Sequence, residues 1–309
     1  MLWCTKRQAT ALFLAAGLLA ACGGGAGSGS AHTEFPVVPA GPAQSELGNL
    51  DGPEGLTFDA AGNLYAGSQS GRITRIAPDF TVSVFAETHR QLAGLATGPQ
   101  DEIFAAAFTT GEVLAISQGG VMRIATTGLD SPNAIVFDRK QRPIVSATGL
   151  GGLPQIVAIE PDATYQTLSQ KVMSPNGMAF DENNFLYVAD TFMNRVVRLQ
   201  MDDSGELGEP EVYASGTALA DGIAFDNQGN LYVAGNGKIV VVINNNQRAI
   251  EDYVTQGDVN GPASLAFGFG QGRDTRRLYF TNYGFPTIGT GQDVASVFVN
   301  ITGRPLFAP

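Results

Sequence analysis

Residues 175–190 read PNGMAFDENNFLYVAD, and the phrase recurs along the chain. Its other copies are PEGLTFDAAGNLYAG from Pro53, LAGLATGPQDEIFAA from Leu92, PNAIVFDRKQRPIVS from Pro132, ADGIAFDNQGNLYVAG from Ala220 and PASLAFGFGQGRDTRRLYF from Pro262. The second residues of the six copies are Glu54, Ala93, Asn133, Asn176, Asp221 and Ala263, which sets intervals of 39, 40, 43, 45 and 42 residues. A period of this length marks stacked or ring-forming units. Around the fourth copy lie four short apolar runs, Gly177–Asp181, Phe185–Thr191, Arg195–Met201 and Glu211–Ser215, rich in Val, Tyr and Phe and divided by turn residues. Four strands per repeat and six repeats predict an all-β fold, a six-bladed β-propeller with four-stranded blades and a central channel.

Composition agrees. The 309 residues include 39 Gly and 16 Pro, which disfavour long helices, and 44% are hydrophobic against only 15% charged. That supplies a core and excludes disorder and coiled coil. A formal charge of -11 repels phosphate backbones, so nucleic acid is excluded as a partner.

The chain begins with a charged start at Lys6 and Arg7, an apolar run from Ala11 to Ala21, and then Cys22 followed by glycines. This is signal-peptide organisation, and the run is too short to span a bilayer well. Leu19-Ala20-Ala21-Cys22 resembles the bacterial lipobox, which implies a lipid on the Cys22 thiol. The expected organisation is a lipoprotein signal peptide over 1–21, a lipidated cysteine with a Gly/Ser tether over 22–34, and the propeller over 35–309. Cleavage before Cys22 removes Cys4 and leaves a single cysteine, so no internal disulfide can form. Lipid and tether together anchor a protein without spanning the membrane. Gly23 after the cysteine, in place of an inner-membrane retention Asp, points to the outer membrane facing the periplasm.

In such a ring the first strand of each blade lines the channel, and the residue opening each phrase is expected just before that strand, at the channel mouth. Four of the six are polar: Glu54, Asn133, Asn176 and Asp221. Two carboxylates brought together conflict unless one takes a proton or a cation lies between them. The donors are all oxygen, which suits Ca²⁺, leaves Mg²⁺ and Mn²⁺ open and disfavours Zn²⁺. The alternative is that PEG, PNG and ADG are only turns. Ring closure is expected from Phe35–Val38, Pro305–Ala308, or both, at the outer edge of the sixth blade.

Other polar residues read as structure. Asp59, Asp138, Asp181 and Asp226 close the inner strands ahead of turns and are expected to cap them. Asp190, Asn194 and Arg195 are similar to the loop staple of NHL-type propeller repeats. His32 and His89 have no visible acid partner, and neither a G-x-S-x-G elbow nor a phosphate-binding loop is present.

From Pro53 onward the chain resembles the gluconolactonase and regucalcin family of six-bladed propellers, and more distantly the paraoxonases. The resemblance implies a divalent ion held by Glu54, Asn176 and Asp221, with Asn133 contacting metal or substrate. It implies hydrolysis of a lactone or related ester, with Asp221 assisting an attacking water. Two departures stand out. Ser131 occupies the place where regucalcin-type enzymes carry a substrate-gripping Arg, and Ala93 that of the paraoxonase catalytic His. The loops after the second strands offer Phe108, Leu150, Phe192, Tyr283 and Phe285 as a pocket wall, which favours a more apolar substrate. The expected protein is a monomeric, lipid-anchored, calcium-dependent lactonase or esterase. A non-catalytic propeller using the same face to bind a ligand or partner is the alternative, and a metal-free strictosidine-synthase-like enzyme is a third reading.

Overall fold

A computed structural model describes residues 40–284 and 291–304. The signal and tether, Cys22, Phe285, Phe35–Val38 and Pro305–Ala308 lie outside the described residues. Six four-stranded antiparallel sheets form the fold, and the one helical element among the described residues is a short 3-10 turn at Thr191–Met193. The protein is thus a six-bladed β-propeller with no helix, among the described residues, long and apolar enough to cross a membrane.

Blade four shows how the repeat folds. Its strands are Pro175–Phe180, Phe185–Asp190, Arg195–Gln200 and Glu211–Ser215, so the inner strand starts two residues earlier than its apolar run suggests. Alternation along the strands sends Leu186, Val188 and Val197 towards one neighbouring blade and Tyr187, Ala189 and Val196 towards the other. Each buried cluster therefore forms between sheets, and no blade has a core of its own.

The acidic residues closing the inner strands cap their turns, as expected. Asp59 accepts from the Asn63 backbone and amide and from the Tyr65 hydroxyl, and Asp226 repeats this with Asn230 and Tyr232. Asp138 accepts from Arg142, and Asp181 from the backbone of Asn183 and Phe185.

Closure departs from the expected segments. The outer strand of blade six is Gln44–Leu47, paired antiparallel with Asp293–Phe298. The N-terminal side therefore closes the ring, but with a polar stretch beyond Phe35–Val38. An outermost strand is packed on one face only, so QSEL carries little of the apolar signal by which strands are recognised. Arg273, between the first two strands of blade six, ties that blade to blade one by donating to the carbonyls of Gly62, Ile76 and Ala77.

Candidate active site at the channel mouth

Five of the six inner strands contain a register irregularity at the same place, between Pro53 and Leu56, Leu92 and Leu95, Pro132 and Ile135, Pro175 and Met178, and Pro262 and Leu265. Glu54, Ala93, Asn133, Asn176 and Ala263 each lie in that bulge, which re-aims a side chain without ending the strand. They are therefore the second residues of their strands and do not precede them, a correction to the sequence reading. Only Asp221 stands before its strand, Ile223–Phe225, with its backbone N–H donating to the Ala234 carbonyl at 2.8 Å.

The glycine after the mouth residue serves the ring and not a turn. A Cβ on Gly55 would lie 2.3 Å from the Ala93 carbonyl oxygen, on Gly94 2.4 Å from that of Asn133, on Gly177 2.2 Å from that of Asp221, and on Gly222 2.2 Å from that of Ala263. None of the four is among the positive-φ residues. Their small size lets each inner strand approach the mouth residue of the next, which brings the polar positions to one end of a narrow channel. Lower down, this channel encloses about 90 Å³ between residues such as Leu56, Leu95, Ile135 and Met178.

Glu54 lies within the electrostatic reach of Asp221. Burial, and then the Asp221 charge, push the Glu54 carboxyl up to about 8. Burial pushes Asp221 up to about 7, opposed by a hydrogen bond from the Asn176 side chain. No cationic side chain is among the groups that shift either carboxyl. Asn133 holds the corresponding bulge in blade three and is buried. Among the described residues no three His, Cys, Asp or Glu side chains gather as a metal cluster. The donor set is two carboxylates with carboxamide oxygens, which fits a hard divalent cation: the ion would supply the positive charge that the protein does not.

Tyr283 follows the second strand of blade six, is buried, and accepts a hydrogen bond from Gln69 Nε2. Burial, Glu54 and Asp221 all drive its phenol upwards, so both carboxylates lie within its electrostatic reach. Gln91 in turn donates to Gln69 Oε1 at 2.7 Å. The sequence reading missed Gln69, although it directly follows the second strand of blade one, as Phe108 and Tyr283 do in their blades. A search for apolar wall residues passes over a glutamine.

The other proposed wall residues do not share one lining. Phe108 borders a recess of about 250 Å³ with Leu129, Asp130 and Ser131. Leu150 and Phe192 stand 63% and 62% exposed on their loops. Asp190 is fully buried, accepting from Ser174 and Arg195, while Asn194 takes the Leu219 N–H, so this trio staples a loop as expected.

Fold and mouth together define a six-bladed propeller with a paired-carboxylate site at one end of its channel. Residues 138–284, running through blades three to six, match the model of the SMP-30/gluconolactonase/LRE-like region, and residues 40–76 match that of the strictosidine synthase-like N-terminal region. The resemblance to the gluconolactonase and regucalcin propellers is therefore shown. No curated protein matched the chain in a sequence search. Among solved structures, a gluconolactonase from Xanthomonas campestris superposes with a TM-score of 0.70 at 17% identity, covering 87% of this chain and 99% of its own. A calcium-binding regucalcin from Agrobacterium tumefaciens gives 0.69 at 18%, covering 88% and 98%. A luciferin-regenerating enzyme gives 0.66 at 17%, covering 85% and 98%. At these identities the likeness concerns the fold.

Proposed function

We propose that the protein is a divalent-cation-dependent hydrolase that opens a lactone, or a related ester, to a hydroxy acid. The observation carrying this reading is the half-buried pair Glu54 and Asp221 at the channel mouth, where the charge of Asp221 acts on Glu54 and no cationic side chain is among the groups that shift either. Glu54, Asn133, Asn176 and Asp221 would hold the ion, calcium by the chemistry of the set, which when bound lends Lewis acidity to the ester carbonyl. Asp221 accepts a proton from water as the water oxygen joins the carbonyl carbon. The ester carbon–oxygen bond then breaks, and the proton passes to the departing alkoxide. The Asn176 amide keeps the Asp221 carboxylate in one orientation throughout. Ser131 in place of a gripping arginine, beside Phe108, favours a substrate less hydrophilic than a sugar lactone.

The same reading locates the protein in the cell envelope, anchored through Cys22 to the outer membrane and facing the periplasm, as a monomer. Cys22→Ser would then release it from membranes.

A panel of aliphatic and aromatic lactones, assayed with and without chelator, tests the activity. Turnover that chelation abolishes, and that Asp221→Asn reduces severely in a folded protein, supports the proposal. Absence of turnover on every substrate, with thermal stability unchanged by metal removal, leaves the non-catalytic ligand-binding propeller.

A further inference from the structure

The face opposite the mouth carries the turns that follow the inner and third strands. Between blades four and five these turns border a polar cavity of about 390 Å³, whose lining includes three cations, Arg198, Arg248 and Arg304, against two carboxylates, Asp181 and Glu182. At about 30 Å³ for each water it would displace, this space admits a ligand of about a dozen heavy atoms.

Two other arginines on this face are each held by several acceptors of the protein. Arg142 reaches Asp138, Glu160 and the Gly205 carbonyl, and Arg273 reaches three backbone carbonyls. Arg198 likewise bonds Glu211 at 2.7 Å. The other two arginines of the cavity differ. Among the described residues Arg304 Nη1 is buried with no hydrogen-bond partner, and the ion pair of this side chain with Glu182, itself 75% exposed, is long at 3.8 Å. Arg248 donates to the Tyr213 carbonyl at 3.2 Å and stacks 4.5 Å over the Tyr213 ring, with Phe225 placed similarly under Arg304 at 5.3 Å. Aromatic faces thus hold two guanidinium groups in place, and on Arg304 the Nη1 donor is left without an acceptor among the described residues. A buried cationic donor without an acceptor is costly, and the acceptor that best fits a guanidinium fork is a planar or tetrahedral oxyanion.

We propose that this cavity is a binding site for a small ligand bearing a carboxylate or phosphate group, which Arg304 and Arg248 grip together. It lies on the opposite side of the ring from Glu54 and Asp221 and does not depend on any activity there.

Titration calorimetry of the full chain with succinate and, separately, with inorganic phosphate at fixed ionic strength tests the site and tells the two head groups apart. Saturable binding of either probe is expected, weakened roughly tenfold or more by Arg304→Gln and by Arg248→Gln, and unchanged in Asp221→Asn. Asn246→Asp sets a competing carboxylate at the exposed rim without removing an arginine, and should weaken binding even if Arg304→Gln fails to fold. The proposal is overturned if neither probe binds, if folded arginine variants bind as well as the parent, or if Asp221→Asn abolishes binding.

Discussion

Ser146 Oγ donates to the backbone carbonyl of Asn176 at 2.8 Å while accepting the N–H of Ala134 at 2.9 Å, so one hydroxyl ties two neighbouring inner strands together at the mouth. Blade six repeats the arrangement: Thr281 Oγ1 accepts from Ser264 N–H and donates to the Glu54 carbonyl. The other blades carry Gly67, Ala106, Ala189 and Ala234 at this register, with no hydroxyl to offer. Hydroxyls therefore occur where the following blade presents Asn176 or Glu54.

Removing either hydroxyl should loosen a site residue as well as the fold. Ser146→Ala and Thr281→Val each leave a part-buried N–H and carbonyl short of a partner, at a cost of about 1–3 kcal/mol in urea unfolding. Calcium affinity measured by calorimetry should fall in both, and a variant that loses stability with calcium affinity intact would show that the tie supports only the sheet.

The raised carboxyls give the metal-free protein a definite pH response. Glu54, raised to about 8, and Asp221, raised to about 7, hold protons in the folded state that the unfolded chain releases nearer pH 4. Folding is then favoured most below their unfolded values, and that contribution is lost as pH rises through about 7 and 8. Thermal melts in chelator should show the midpoint falling over this interval, with Glu54→Gln flattening the slope and calcium restoring the midpoint at high pH. A midpoint that climbs from pH 6 to 9 in chelator would contradict this account.

The glycine ring predicts a different kind of sensitivity. Gly177→Ala sets a methyl 2.2 Å from the Asp221 carbonyl, and backbone on both sides leaves no flexible atom to yield. Blades four and five must part, which should cost about 1–3 kcal/mol in unfolding free energy and displace Asp221 from Asn176. Gly237→Ala is the contrasting control. That glycine has open space but a φ of +75°, so its replacement strains the local turn and leaves the mouth undisturbed. Loss of calcium binding in the first variant but not the second is expected.

The repeat made the propeller readable because every blade buries the same positions against its neighbours, and periodic burial writes itself into the sequence. The mouth was readable for a related reason: Glu54, Asn133, Asn176 and Asp221 share one place in the phrase. What escaped were features without a periodic signature. The bulges that turn those residues inwards change pairing but not composition, so the strands were read as starting late. Gln44–Leu47 pairs on an edge through its backbone and through Glu46, which accepts from Ser296 and Arg277, so polar residues suffice there. The glycines of PEG, PNG and ADG look like turn residues until the neighbouring strand is seen against them. Gln91 donates to Gln69, which donates to Tyr283, and this relay across three blades is a contact between single residues that no internal repeat encodes.

That last contact leads to a prediction about the phenol. Gln69 Nε2 already occupies an acceptor position of the Tyr283 oxygen, so the O–H is directed elsewhere, and both mouth carboxylates act on the group. A fixed O–H beside Glu54 and Asp221 is suited to stabilising negative charge that develops on a substrate oxygen. Tyr283→Phe should lower kcat on a responsive lactone about tenfold to a hundredfold with KM nearly unchanged, because the lost bond strengthens mainly in the transition state. Gln69→Leu keeps the phenol but frees its direction, and should give a smaller fall in kcat while leaving calcium affinity as it was. If Tyr283→Phe raises KM and spares kcat, the phenol binds substrate without favouring its reaction; if it also abolishes calcium binding, the tyrosine shapes the carboxylate pair itself.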